Sequence, residues 1–573
     1  MQIDSIKKSS RIFWLLFKDY WQSEEKWKAR GLLATVVLFN LISIYLMLEL
    51  TDWYNEFYTI LQNYSYQAFW HSIGKFSILA LLLIVLAVYA FYLQQMLQIK
   101  WRTWMTKQYI EKWMHKQTYY KLQTGQNNTD NPDQRIQEDI NLFVSLTLSL
   151  GIGLFKQVMI LISFIAMLWQ LSGSFTVSFG EQAISIPGFM VWVTLLYSII
   201  GTFITHKTGH QLISLNFNQQ KYEADFRFSL VRLRENSECI AFYRGELPEK
   251  INFQKRFMFV IGNFKQIMNR QKILTGITVS YSQIAIILPI LIAAPRYFNE
   301  MLPIGWLIQT LTAFGKVQDA LSYLVSSYTD IAQWSSVIRR LSTFAEHMET
   351  ADTLQADVNV NLDDELDISA LTVRLPHGET IIKNLCMKLS AEKSMIITGA
   401  SGSGKSTLLR TLAGIWPFAE GKITIPSQEN ILFLPQKPYL PLGTLRQSLY
   451  YPQAVPAIDT KNIDQLLKSC KLSKLADQLE EINDWSSILS LGEQQRLAFA
   501  RIFLKKPAWV FLDEATSALD EATENHMYTL LKKELPQITI VSIGHRATLL
   551  PHHEYRLDVS GNGDYKFYVL NNA

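Results

Sequence analysis

Apolar residues are gathered into long unbroken runs before about residue 325, and afterwards into short runs divided by glycine, proline and charge. A helix needs about 20 apolar residues to cross a bilayer. Six stretches approach or reach that length: Gly31 to Leu50, Phe76 to Leu97, Leu146 to Leu168, Gly188 to Ile204, Leu274 to Ala294, and Ile304 to Val325. The last is the least apolar, carrying Gln309, Lys316, Gln318 and Asp319 where a lipid-facing helix would be aliphatic. Such groups are costly in hydrocarbon unless they face protein or water, so this span is expected to line a translocation pathway. The plainer alternative is that Lys316 and Asp319, three residues apart, pair on one helix face.

Cations fix the orientation, because cytoplasmic loops hold the excess of Lys and Arg. Lys100, Arg102, Lys107, Lys112, Lys116, Lys121 and Arg135 lie between spans two and three, and the segment between spans four and five is richer still. Thr51 to Ser72 and Leu171 to Ile186 contain no Lys or Arg. Both termini are therefore expected in the cytoplasm. The two cationic segments are too long for structureless loops. They are expected to prolong the spans as helices that turn near Thr124 to Asp133 and near Asn216 to Asp225, with tips that dock on another domain. Two further segments, NPDQRIQEDI (Asn131 to Ile140) and RENSECIAFYRGE (Arg234 to Glu246), mix charge with Ile240, Phe242 and Tyr243 and suit a packed interface as well as a solvated helix face. At the start, Lys7, Lys8 and Arg11 precede a short apolar stretch, read as an amphipathic helix along the inner membrane surface.

The hydrophobic share is 49% and the formal net charge +4. Because the cations alternate with apolar spans, that charge records membrane topology and not a nucleic-acid footprint. Cys239, Cys386 and Cys470 show no metal-ligand spacing and read as buried or idle thiols.

Chemistry concentrates after residue 390. In SMIITGASGSGKSTLLRTLAG an apolar strand meets a glycine-rich turn and a helix start, and Gly399, Ala400, Ser401, Gly402, Ser403, Gly404, Lys405, Ser406 and Thr407 form a phosphate-binding loop. Backbone N–H groups close around phosphates, Lys405 neutralises them, and Ser406 offers a hydroxyl to Mg²⁺. Downstream, PAWVFLDEATSALD ends a strand in two carboxylates: Asp513 is placed to hold Mg²⁺ and Glu514 to deprotonate the attacking water. A buried strand ending in adjacent acids has little structural rationale, since unpaired carboxylates are expensive there. Between these motifs, ILSLGEQQRLAFARIFL sets Ser490, Gly492 and Glu493 at a helix start whose dipole favours an anion, although a Ser before a helix is also ordinary capping.

About 20 residues before paired carboxylates, that segment is an ABC signature, and Leu366 to His545 resembles the ATP-binding cassette family. The resemblance implies that Gln436 is the Q-loop glutamine, sensing Mg²⁺ and the membrane domain. It likewise makes Ser517 to Asp520 the D-loop at a dimer interface and His545 the switch histidine at the γ-phosphate. Glu514, His545 and Gln436 are thus the expected catalytic residues; Ser406, Gln436 and Asp513 are the expected metal set. ATP and Mg²⁺ are the expected cofactors. Two cassettes of this family sandwich two ATP molecules, so one cassette per chain implies a homodimer. Two departures stand out. The signature reads LSLGE, with Leu491 and Glu493 altered, and Leu375 occupies the place of the usual adenine-stacking aromatic.

The expected fold is an α-helical six-span membrane domain, similar to type IV ABC exporters, over residues 1–345, a linker over 346–360, and an α/β P-loop nucleotide-binding domain over 361–573. Residues 10 to 345 look like the subfamily D peroxisomal fatty-acyl transporters and their bacterial SbmA/BacA-like peptide-uptake relatives, on the strength of NPDQRIQEDI and RENSECIAFYRGE. The C-terminal residues VLNNA are no peroxisomal address, which favours a bacterial inner membrane, with the cassette cytoplasmic. Gln283, Gln309 and Gln318 favour a water-filled cavity and a peptide-like or other hydrophilic cargo. Fatty-acyl or lipid cargo is the alternative, as is an ATP-gated channel or regulatory membrane protein. Lipids surround the spans, and no nucleic-acid partner is expected.

Overall fold

The computed structural model describes residues 14, 17–124, 131–179, 182–299, 302–456 and 460–570. The chain divides into two compact units, residues 1–110 with 131–344, and residues 111–130 with 345–573.

The first unit is helical. Its long helices are α1 (Lys26–Gln62), α2 (Tyr66–Met114, whose last residues belong to the second unit), α4 (Ile140–Ser172), α5 (Phe189–Glu235), α7 (Glu246–Asn299) and α8 (Ile304–Ser326); α3 (Thr118–Thr124) continues beyond α2 in the second unit. A two-stranded hairpin, β1 (Ser174–Phe179) with β2 (Gln182–Pro187), joins α4 to α5. Among the described residues, five helical stretches are long and apolar enough to cross a membrane, namely Lys26–Gln62, Tyr66–Thr124, Pro132–Ser172, Phe189–Glu235 and Glu246–Asn299. Helix α8, the expected sixth span, falls below that apolarity because of its polar residues. It does not need a lipid-facing surface of its own, since α1, α4, α5 and α7 all pack against it. Gln309 and Gln318 are buried there. Gln309 Nε2 donates to Asp52 Oδ1 at 2.6 Å and its Oε1 accepts from Asn55 Nδ2 at 2.8 Å, so this glutamine ties α8 to α1 and does not line an open pathway. Lys316 is half-buried, Asp319 is exposed, and neither forms an ion pair among the described residues.

Lys7, Lys8 and Arg11 lie outside the described residues. Residues 17–22 are helical, and buried Tyr20 stacks on Trp101 with ring centroids 5.4 Å apart. The NPDQRIQEDI segment enters α4 through a π-helical turn, Arg135–Asp139. Asp139 is buried, and its carboxylate accepts from Arg135 Nη1 at 2.8 Å and from Arg340 Nη2 at 2.6 Å and Nε at 2.9 Å. Arg340 stands on α9 (Tyr328–Thr353), where Trp334 Nε1 also donates to Thr147 Oγ1 at 2.8 Å, so α9 is pinned along α4.

The expected turn at Asn216 to Asp225 is not there. Helix α5 runs through it for 47 residues to Glu235, about 70 Å at 1.5 Å per residue. Gln219, Gln220, Lys221, Glu223 and Ala224 in that stretch are good helix formers, and it holds no Gly or Pro. The reversal comes at Asn236, which caps α5, and at Arg244 in the left-handed region (φ 52°) before Gly245; between them lies α6 (Ser237–Tyr243). RENSECIAFYRGE is therefore the tip itself. Phe242 and Tyr243 are 79% and 86% exposed in the protomer. A cavity of about 400 Å³ opens beneath, lined by Phe228, Arg232, Ile240, Glu249, Asn252 and Arg256. The other expected tip, Thr124 to Asp133, lies mostly outside the described residues (125–130).

In the second unit, residues 111–124 keep company with the cassette: His115 Nδ1 and Asp352 Oδ1 are 3.1 Å apart, and Arg410 lies within electrostatic range of Tyr120. The segment expected as a linker, 346–360, is ordered as the last turns of α9 and most of strand β3 (Asp357–Leu362). That strand joins β4 (Leu366–Arg374), β5 (Thr380–Leu389) and β7 (Ala419–Ile425) in a four-stranded sheet of order β3-β7-β4-β5. The second sheet holds β6 (Ser394–Thr398), β8 (Ile431–Leu434), β9 (Trp509–Asp513), β10 (Thr539–Ile543), β11 (Tyr555–Val559) and β12 (Tyr565–Val569), in the order β12-β11-β6-β10-β9-β8. It is parallel except for β12. β6, β9 and β10 are buried along nearly their whole length, as strands covered on both faces must be. Helices α10 (Lys405–Leu412), α11 (Leu445–Tyr450), α12 (Thr460–Ser469), α13 (Leu491–Lys505) and α14 (Glu521–Glu534) complete the unit. Cys470 is buried in its core, where burial pushes the thiol up to about 12, while Cys239 and Cys386 are exposed; all three are free.

Candidate active site

Functional loops of an open parallel sheet gather at the carboxyl ends of its strands, and the expected residues do so here. β6 delivers the glycine-rich loop, β9 ends at Asp513 and Glu514, β8 leads to Gln436, and β10 leads to His545.

Gly399 takes φ 147°, and a Cβ there would strike the Val559 carbonyl, so the sharp exit from β6 requires glycine. The loop turns back so that α10 begins at Lys405. Lys405 is buried, and its Nζ donates to the Gly399 and Ala400 carbonyls at 3.0 and 2.7 Å. Burial lowers its pKa from the ordinary lysine value, against the opposing pull of Glu514 and Asp513. Ser403 Oγ is buried in the loop with no hydrogen-bond partner among the described residues. A buried hydroxyl without a partner is costly, and a phosphate oxygen would satisfy it. Ser406 Oγ donates to Asp513 Oδ1 at 2.9 Å, and burial raises the Asp513 carboxyl above its ordinary value despite that bond.

Glu514 sits at the mouth of this cradle with φ 47°, a conformation a glutamate rarely adopts. Its two oxygens are held separately: Oε2 accepts from Gln436 Nε2 at 2.9 Å and Oε1 lies 3.1 Å from His545 Nε2. Three residues expected to be catalytic from segments far apart in sequence thus meet in one cluster.

Ser490, Gly492 and Glu493 are elsewhere. Ser490 caps α13 in a reciprocal box, its N–H and Oγ–H donating to Glu493 Oε2 at 3.0 and 2.7 Å, and these bonds hold the Glu493 carboxyl below its ordinary pKa. The glutamate that departs from the common signature is therefore the capping partner. Among the described residues none of the three bonds to the phosphate loop of its own chain. Leu375 lies partly buried against the core of the four-stranded sheet, and no adenine-stacking residue is assigned.

Two residues escaped the sequence reading. Arg546 donates to the Leu519 carbonyl at 2.6 Å and to the Ser517 carbonyl at 3.0 Å, anchoring the segment after Glu514. Gln495, fully buried on α13, bonds two other segments at once, at Gln436 and at Ser517–Ala518. Nothing in LGEQQRL separates it from neighbouring Gln494, whose amide only satisfies local carbonyls of Ser486 and Leu489.

Comparison with known proteins supplies the wider frame. Residues 16–298 match the family model described as ABC transporter transmembrane region 2, and residues 382–517 match the ABC transporter model. An uncharacterized ABC transporter ATP-binding protein of Haemophilus influenzae is 40% identical over 97% of this chain and 93% of its own length. ABC transporter D family member 2, chloroplastic, of Arabidopsis thaliana is 35% identical over 96% and 86%, and the inner membrane ABC transporter ATP-binding protein YddA of Escherichia coli 32% over 93% and 94%. A solved bacterial Atm1-family ABC exporter with ATP bound shares the fold, at 18% identity and a TM-score of 0.71 over 93% of this chain and 94% of that one. Identity sustained along both halves shows that the chain belongs to the ABC transporter family, as a half-transporter with one membrane region fused to one ATP-binding cassette.

Proposed function

We propose that two copies of this chain form a homodimeric pump that hydrolyses ATP with Mg²⁺ at two composite sites and moves a peptide-like or other hydrophilic cargo across a bacterial inner membrane. The observation that carries the catalytic part is the Gln436–Glu514–His545 cluster at the mouth of the phosphate loop, with the signature residues of the same chain left unbonded to that loop.

The donors fit a hard divalent cation: the Ser406 hydroxyl and the Asp513 carboxylate are adjacent oxygen ligands of the kind Mg²⁺ prefers. Ser406, Asp513 and Gln436 would hold it, and when bound it supplies neutralisation of phosphate charge. The chain does the rest. Lys405 leaves its two carbonyl partners for the phosphates, and the loop N–H groups orient them. Glu514 accepts a proton from the attacking water, Gln436 fixes which of its oxygens faces that water, and His545 approaches the γ-phosphate from the other side. Ser490, Gly492 and Glu493 of the partner would close the site.

For the cargo, support for the hydrophilic reading comes from polar residues along the spans that, among the described residues, are not tied to a neighbouring helix, exposed Gln283 on α7 being one. One relative, 27% identical over 89% of this chain, is named the human lysosomal cobalamin transporter ABCD4. A second reading, acyl or lipid cargo, is favoured by an apolar cleft of about 490 Å³ between α5 and α7, lined by Tyr197, Ile200, Gly201, Ile277, Tyr281 and Ile284. ATP hydrolysis by the protein in liposomes, with a panel of peptides, cobalamin and acyl-CoA, tests both. Stimulation by a hydrophilic member supports the first reading; stimulation by acyl-CoA alone replaces it with the second.

A further inference from the structure

We propose that Gln495 is a positioning residue that ties the signature helix to the hydrolytic carboxylate of its own cassette, and so couples the two ATP sites of the dimer. This rests on the homodimeric reading above.

The side chain is fully buried and its amide is divided between two segments, the one at Gln436 and the one from Glu514 to Ala518. Nε2 donates to the Gln436 carbonyl at 2.9 Å and to Ser517 Oγ at 3.2 Å, and lies 3.5 Å from the Glu514 carbonyl; Oε1 accepts from the Ala518 N–H at 3.0 Å. One group thus fixes the backbone at Gln436, whose side chain holds Glu514, and the backbone that carries Glu514 into the D-loop. Glu514 needs such support because its φ of 47° is unfavourable unless the surroundings impose it.

Gln495 itself stands on the second turn of α13, the helix whose first residues, Ser490 to Gly492, face the partner's nucleotide in the proposed dimer. Gly492 presses on the same D-loop, where a Cβ would meet the Ala518 carbonyl at 3.1 Å. Movement of α13 on closing over the partner's ATP would therefore be transmitted through Gln495 to the Gln436 and Glu514 of its own site. Coupling of this kind needs a physical contact that differs between two states, and the buried amide that bonds α13 to two segments is the contact through which it would pass.

The test uses the full-length protein in liposomes. Gln495→Met keeps the side-chain length and removes every bond; Ser517→Ala, at an exposed residue, removes one acceptor and does not threaten folding. ATP affinity, kcat and the Hill coefficient for ATP are read for each, with Glu514→Gln alongside. We expect Gln495→Met to bind ATP within about twofold of the parent, to lose at least about tenfold in kcat, as misplacement of a catalytic group does, and to hydrolyse ATP without cooperativity. Ser517→Ala should show a smaller loss of both. A kcat within about twofold of the parent in Gln495→Met, or a loss matched by equal losses of affinity and thermal stability, overturns the proposal. So does undiminished cooperativity in both variants, or none in the parent. Normal turnover in Glu514→Gln would instead sink the catalytic assignment on which the proposal stands, so the two failures are distinguishable.

Discussion

The proposed hydrolytic residues stand out in the sequence because phosphate chemistry tolerates few spellings: a strand, a glycine turn and a Lys–Ser pair at fixed spacing are the pattern that Gly399 to Ser406 follow. Gln495 is illegible for the opposite reason. A glutamine inside a helix carries no pattern, and only the fold shows that its amide meets both Gln436 and the Ser517–Ala518 segment. Glu514→Gln should keep ATP binding and slow hydrolysis by at least about a hundredfold, the lower end for a lost general base, whereas Lys405→Ala should weaken nucleotide binding; nucleotide titration and steady-state hydrolysis separate the two. Glu493 yields a further expectation. Its carboxyl is held below the ordinary range chiefly by Ser490, so the capping bond stabilises the folded cassette above that range and fades as pH falls through the lowered value. Glu493→Gln retains an acceptor for Ser490, so hydrolysis should stay within about twofold of the parent, the cost of a kept cap being small. Its unfolding temperature should fall less than the parent's on acidification, and an equal fall would show that the bond does not carry the pH dependence.

Among the elements, the membrane spans were legible from run length, and the orientation of their ends was expected from charge. What the pattern misplaced was the second tip. Polar residues from Asn216 to Asp225 resemble a turn by composition, yet α5 continues because the stretch holds no Gly or Pro to break a helix. The breakers that do end the helix are Asn236 and the Arg244–Gly245 pair. The supposed linker was misread similarly, since a charged helix end and an edge strand both look like loop. A short Gly/Ser insertion between Arg244 and Gly245 should leave basal ATP binding intact and reduce substrate stimulation and transport; full transport would exclude this tip from coupling. The NPDQRIQEDI segment has a different role, built around Asp139. Removing one member of a buried ion pair strands its partners' charge at a cost of about 3 kcal/mol, so Asp139→Ala should lower the unfolding temperature of the detergent-purified protein markedly. Arg340→Ala should cost less, because Arg135 still pairs with Asp139 and the Arg340 side chain is 36% exposed.

For the molecule as a whole, one chain carries the proposed phosphate loop, hydrolytic carboxylate and signature helix, but among the described residues its own Ser490 and Glu493 bond to one another and not to that loop. Sequence pattern could name these parts; it could not say which copy each part serves, because that is decided by surfaces that meet only on assembly. The central claim, a site completed by a second copy, is tested most directly by cross-linking. Two differently tagged chains lacking the native cysteines, one with Ser403→Cys and the other with Leu491→Cys, would be co-expressed and oxidised with and without ATP in the Glu514→Gln background. The account predicts a covalent dimer containing both tags that accumulates with ATP. Failure of the two chains to cross-link, together with trapping between the same two positions when both cysteines are placed in one chain, would contradict it.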